Sequence, residues 1–397
     1  MLARSTRIAG LAALAILAAP ALARAEPAAP AAGHDFLAEA KALLVVGACA
    51  EGPSPQLNAE IVAAHCKTVR AAQADYQKTW ITVAREFFVE HVPATIPKVV
   101  VYPFAGGDLS TALTVYPDAD EITTLSLEPA GDPTALAHLT DRELKTALGV
   151  VATELGSLYR ANFSVTMNMI GAMRGGRLPT QLIFGLSALA LHGYEPTSLR
   201  YFRLTRDGGL DYLTDADVAR LAAVTDVGKR NREYANIELR FRKTGQAREQ
   251  IYRHIQANLD DAHLKANPAA LRHLEHKGTV AAMTKAASYL LTFDDFKTMR
   301  AYIVGHVAWM VSDTTGLPPS VGKPAGFVYE TYGEWVKPNM AAGGPIAPEW
   351  KAEYAAQRKR PLAFRFGYPD GLLHGHLVIM SRPQASAPAP TAAPSVH

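Results

Sequence analysis

Apolar residues recur at helical spacing over residues 36–46 and again over 57–90, where Ile61, Val62, Val69, Ile81, Val83, Phe87 and Phe88 mark one face. Pro93 and Pro97 end that stretch. The period then changes: Val99-Val100-Val101-Tyr102 is a continuous apolar run, followed by a Gly106-Gly107 turn, a short helix through Ala112 and Leu113, and a second strand over 121–127. This βαβ rhythm predicts a parallel sheet with helices on its faces.

Farther on, Thr140 with Glu143 three residues later has capping-box spacing and predicts a helix over 141–159. An apolar helix over 179–192 and a strand over 199–204 follow. Strand-like alternation over 237–241 and 250–255 flanks Gly245 and predicts a hairpin. Residues 280–291 and 293–304 read as helices. Two closing strands, 362–366 and 374–380, flank the turn sequence Tyr368-Pro369-Asp370-Gly371. No internal repeat is present. The expectation is one α/β domain over 34–382, with a mixed sheet and a Rossmann-like βαβ segment, preceded by a helical N-terminal segment over 34–92.

The ends of the chain lack this patterning. Arg4 and Arg7 precede a short run of Ala, Leu and Ile, and Ala23-Arg24-Ala25 forms an A-x-A site. That is the layout of a cleavable export signal, cut after Ala25, and the apolar run falls short of the ~20 residues a spanning helix needs. Residues 26–33 and 383–397 are rich in Pro and Ala and are expected to be disordered. A periplasmic or secreted protein without a transmembrane segment is implied. Cys49 and Cys66, the only two cysteines, are then expected to form a disulfide around the turn Glu51-Gly52-Pro53-Ser54-Pro55. The net charge of +3 includes Arg4, Arg7 and Arg24, so the mature chain is neutral and carries no basic excess for nucleic acid.

Candidate chemistry concentrates around Tyr102, Gly106, Gly107, Asp108 and Glu128. A strand, a glycine turn, a helix and a second strand ending in an acidic residue is how nucleotide-binding folds place a ligand, with Gly106 and Gly107 admitting it to the backbone and Glu128 gripping a ribose. The G-x-G-x-x-G fingerprint is absent and Pro103 interrupts the first strand, so a tight turn and a strand end are the competing reading. Class I methyltransferases have a similar arrangement, from which this segment departs. The pattern names no cofactor.

Other groups are weighed beside it. Lys285, Ser288 and Tyr289 share one side of the expected helix, but Lys-x-x-Ser reverses the Ser-x-x-Lys order of the penicillin-binding enzymes. His374 and His376 point to one face of a strand and are candidate metal ligands, with His273 and His276 as possible partners. Asp313-Thr314-Thr315-Gly316 reads as a turn before Pro318 rather than an aspartic-protease motif. Ser187, in Gly185-Leu186-Ser187-Ala188-Leu189, lacks the second glycine of a nucleophile elbow and falls within an expected helix.

Four segments, Tyr102-Pro103-Phe104 with Asp108, Leu127-Glu128-Pro129, 285–291 and Asp313-Thr314-Thr315-Gly316-Leu317-Pro318, resemble a family of uncharacterised exported bacterial proteins. Ala105 and Gly107 depart from the Tyr-Pro-Phe-Ser-Gly-Pro-Asp form of its first site. The resemblance implies one continuous fold and carries no activity. The expected function is a non-catalytic envelope protein that binds a small molecule or a protein partner. The alternative is an enzyme with a diverged nucleotide-type or methyltransferase-like fold, which requires Tyr102, Asp108, Glu128 and Asp313 to converge in a pocket.

Overall fold

The N-terminal periodicity produces α1 (Leu37–Val46) and α2 (Ala59–Tyr76), and α2 runs through a single π turn, Gln77–Ile81, into α3 (Thr82–His91). Asn58 caps α2 by accepting the Ile61 N–H. Cys49 and Cys66 are joined in a disulfide with Cα atoms 5.3 Å apart. The bridge ties the end of α1 to α2 and closes a loop worth about 3 kcal/mol in the chain-entropy account. The computed structural model describes residues 33–53, 55–162, 177–335, 347–367 and 375–383. The expected signal, the linker up to residue 32, His374, the turn 368–371 and the tail beyond 383 lie outside these residues. The described residues belong to one compact unit beginning at Gly33.

The βαβ segment forms as patterned. Strand β1 (Val99–Pro103) is followed by α4 (Leu109–Val115) and β2 (Glu121–Ser126), and β1 and β2 pair in parallel with Val99 opposite Glu121. Then come α5 (Asp141–Ala161), with both halves of the Thr140/Glu143 capping box formed, and α6 (Thr180–His192). Strands β3 (Tyr194–Leu204), β4 (Leu210–Tyr212), β5 (Asn236–Lys243) and β6 (Glu249–Gln256) extend the sheet, with β5 and β6 making the expected hairpin. The remaining strands are β7 (Val280–Met283), β8 (Val307–Ser312), β9 (Val328–Gly333) and β10 (His376–Ser381). Among the described residues the sheet has ten strands in the order β4-β3-β5-β6-β2-β1-β7-β8-β10-β9. The central five, β6-β2-β1-β7-β8, are parallel, and both wings are antiparallel.

Successive residues of the central strands enter different cores. Val100, Ile122 and Met283 join a cluster with α1–α6, while Val101, Leu125 and Ala282 pack on the other face with the helices at 261–275 and 297–306. A sheet covered on both faces explains the unbroken apolar runs. No helix among the described residues is long and apolar enough to cross a membrane.

Two expectations fail. The helix over 280–291 is instead β7 followed by a 3-10 helix, Ala286–Thr292. Val280-Ala-Ala-Met283 is fully buried between β1 and β8, and that placement overrides the helix preference of its alanines. The strand over 362–366 is irregular; Phe364 and Phe366 turn their rings onto Trp80 and Phe88, and β10 pairs with β8 and β9.

Candidate functional site

The chain leaves β1 toward β2 on one side, and β7 and β8 lie on the other. The boundary between β1 and β7 is therefore a topological switch point, where open α/β sheets form a crevice outside the carboxyl ends of their strands. The four segments of the family resemblance each follow one parallel strand: 102–108 at the end of β1, 127–129 after β2, 285–291 after β7 and 313–318 after β8.

Asp108 and Lys285 meet at this boundary, both about 1 % exposed, with Lys285 Nζ 2.5 Å from Asp108 Oδ2. The rest of the cluster satisfies both groups. Lys285 Nζ also donates to Thr111 Oγ1 at 2.9 Å and stands 5.5 Å from the centre of the Phe366 ring. Asp108 accepts Thr111 Oγ1–H at 2.7 Å, the Thr111 backbone N–H at 3.3 Å and the Tyr102 hydroxyl at 3.1 Å. Burial, then the negative charge of Asp108, pushes the Tyr102 phenol well above its ordinary range. Tyr102 is thus a donor held in its protonated form, with Asp313 contributing to the same shift. Asn162 Oδ1 accepts the Tyr76 hydroxyl at 2.8 Å, and Asn162 Nδ2 and Trp80 Nε1 both donate to the carbonyl of Arg365.

Asp313 accepts the backbone N–H of Ala286 at 2.9 Å through Oδ2, and the Thr315 backbone N–H at 2.9 Å with its hydroxyl through Oδ1. The expected turn at Asp313 exists, and it also fastens the loop that carries Lys285. His376 accepts from the Thr314 hydroxyl at 2.9 Å. Gly367 separates Asp313 from His376: a Cβ there, at φ +86°, would lie 2.5 Å from Asp313 Cβ and 3.0 Å from His376 Cε1.

Strain concentrates in the same place. Among the described residues, four non-glycine residues have positive φ, and three of them, Phe104, Ala286 and Asn162, adjoin or belong to this cluster. Left-handed backbone costs an L-residue roughly 1–2 kcal/mol and persists where the surroundings over-determine it, commonly at functional sites. Phe104 and Ala286 follow the two switch-point strands and swing the chain so that Asp108 and Lys285 face each other.

The other sequence candidates take different places. A Cβ on Gly107 would fall 2.0 Å from Phe184 Cδ2, so this glycine admits α6 rather than a ligand. Gly106 gives its carbonyl to Gln181 Nε2 at 2.8 Å. Glu128 is fully buried beside His254, which donates Nε2–H to the Glu128 carbonyl at 2.7 Å. Neither Glu128 carboxylate oxygen has a hydrogen-bond partner. Burial lowers the His254 pKa. Ser288 bonds Thr315 Oγ1 at 2.7 Å, and Lys285 is extended rather than helical, so the expected Lys-Ser-Tyr face does not form. His273 Nδ1 bonds the Gly208 carbonyl at 2.9 Å. Among the described residues, the only group of three possible metal ligands is Cys49, His65 and Cys66, whose sulfurs are bonded to each other.

At the same edge a pocket of about 70 Å³ is walled by Phe104, Leu127, Leu259, Ala287, Leu290 and Phe296. Phe104 and Ala287 lie within four residues of Asp108 and Lys285 in sequence. No known protein family, curated protein sequence or solved structure matches this chain.

Proposed function

We propose that the protein is an exported envelope protein that binds a small polar ligand, without catalysis, at the β1/β7 crevice. The observation that carries this reading is the Asp108–Lys285 pair at the switch point. A buried ion pair is expensive to desolvate and is weak as a stabilising device, so its retention at the position where such sheets take ligands favours a binding role. Tyr102 supplies a fixed hydroxyl behind it, and the small apolar pocket receives the non-polar part of the ligand. Export is supported by the A-x-A site and agrees with the disulfide. Membership in the exported family is part of the same proposal, since its four segments meet at this edge.

The test is a thermal-shift screen of residues 26–397 against amino acids, sugars, nucleotides, S-adenosylmethionine and divalent metals. A ligand of the folded state raises Tm by mass action. The expected result is a hit that disappears in the folded double variant Asp108→Asn/Lys285→Met. A hit that survives the double variant, or no hit from any class, sinks the reading.

One observation favours a catalytic alternative: Asp313 and His376 both abut the space beside Gly367, and the charge of Asp313 acts on Tyr102. An imidazole and a carboxylate bordering one space are groups that can serve proton transfer to a ligand held there. That reading predicts turnover of the bound ligand, abolished in His376→Gln while binding persists.

A further inference from the structure

A second concave site lies at the opposite, amino-terminal end of β1, away from the switch-point cluster. Its volume is about 240 Å³, and its walls come from α3, the loop after it, the start of β1 and the end of α4. A dry cavity of about 150 Å³ already holds a benzene ring, so this space takes a six- to eight-carbon body. The lining includes Phe88, Val92, Ile96, Val115 and Tyr116, and Val89, 75 % exposed, forms an apolar rim.

One wall is cationic. Arg85 donates through Nη2 to His192 Nδ1 at 2.9 Å, and its Nε is buried without a partner. His192 is itself buried and passes its Nε2–H to Ser110 at 3.2 Å. Burial and the adjacent Arg85 charge lower the imidazole to about 3, so His192 is neutral at physiological pH. The guanidinium is therefore oriented by an uncharged group and forms no ion pair with an acidic residue among the described residues. Lys98 adds a second cation to the lining. Asp118, the one carboxylate of the lining, faces Arg248 at 3.7 Å.

We propose that this pocket binds a small apolar monocarboxylate, a medium-chain fatty acid or a single-ring aryl acid, with its carboxylate on Arg85. The apolar walls remove the body from water, and an arginine already held in place by His192 loses little freedom on pairing. The site is independent of the proposed ligand at the β1/β7 crevice, because it uses none of the same residues.

The experiment is a saturation-transfer NMR titration of residues 26–397 with hexanoate and with 1-hexanol as its uncharged counterpart. Hexanoate is expected to bind about ten-fold more tightly than hexanol, the scale of one charge-assisted hydrogen bond. Arg85→Gln brings hexanoate down to the affinity of hexanol. Ala94→Trp, on the exposed loop in the pocket wall, fills the space and abolishes binding of both. Equal binding of acid and alcohol to the wild-type protein, no binding of either, or hexanoate binding that survives Ala94→Trp overturns the proposal. The wild-type comparison and Ala94→Trp decide the matter even if Arg85→Gln does not fold.

Discussion

At the amino end of β2, Glu121 pairs with Arg253 and Lys277, and Arg253 reaches Glu238 at 2.7 Å. At the carboxyl end of β1, Asp108 pairs with Lys285. The Glu121–Arg253–Glu238 part of the first network is made by sheet register, and Lys277 joins it from the turn before β7. Arg253 stands opposite Glu238 in the β5–β6 pair and opposite Thr123 in the β2–β6 pair, so alternation alone brings Glu121, Arg253 and Glu238 onto one face. The second comes from loop residues far apart in sequence, placed by two left-handed turns at Phe104 and Ala286. Strand-held charges fasten the sheet; charges at strand ends are set up at the cost of strain and burial. The lesson is that position relative to the sheet, more than burial or charge, separates a staple from a candidate site.

The largest effect expected is at Lys285. Lys285→Met leaves Asp108 buried without its counter-ion and should lower unfolding free energy by about 3–5 kcal/mol in urea titrations, whereas the double variant Asp108→Asn/Lys285→Met recovers most of that loss. If the single variant costs less than the double, the pair is not an interdependent unit. In the register-held network, Glu121 retains Arg253 when Lys277→Met is made, so the loss should be about 2 kcal/mol. A loss as large as that at Lys285 would erase the contrast.

Acid sharpens the comparison further. Burial raises the Glu121 carboxyl, but Lys277 and Arg253 outweigh it and hold the group at about 2. An unfolded glutamate near 4.5 binds its proton first, so the contribution is complete above that pH and is lost as pH falls toward 2. Urea midpoints measured between pH 4.5 and 2 should fall more steeply in the wild type than in Glu121→Gln. Equal slopes would remove Glu121 as the acid-sensitive member. The smallest effect is at the strained turn: Ala286→Gly relieves a left-handed alanine at φ +55° and should stabilise by up to about 1 kcal/mol, while a comparable change in the register-held network gains nothing.

The regular parts of the molecule were legible because their signals are local. The apolar run at Val99, the capping box at Thr140 and the hairpin around Gly245 each depend on neighbours a few residues away. Tyr102 and Asp108 were visible for the same reason. Lys285 was misplaced on a helix because the four-residue strand before it is rich in alanine and is defined only by its position between β1 and β8. Gly107 looked like a ligand turn, since nothing in its surroundings announces that Phe184, on α6, will occupy the space above it. The Glu121–Arg253–Glu238 network and the Arg85–His192 contact were unreadable, as each joins elements whose pairing is known only once the sheet is ordered.

The last strand among the described residues is not an edge. β10 lies between β8 and β9 and pairs with both. During vectorial synthesis the sheet therefore stays unfinished, with β8 and β9 unjoined, until residue 381 has been made. Long-range closure of this kind is slow. It also makes a truncation before His376 a route to exposed strand edges rather than to a smaller working protein.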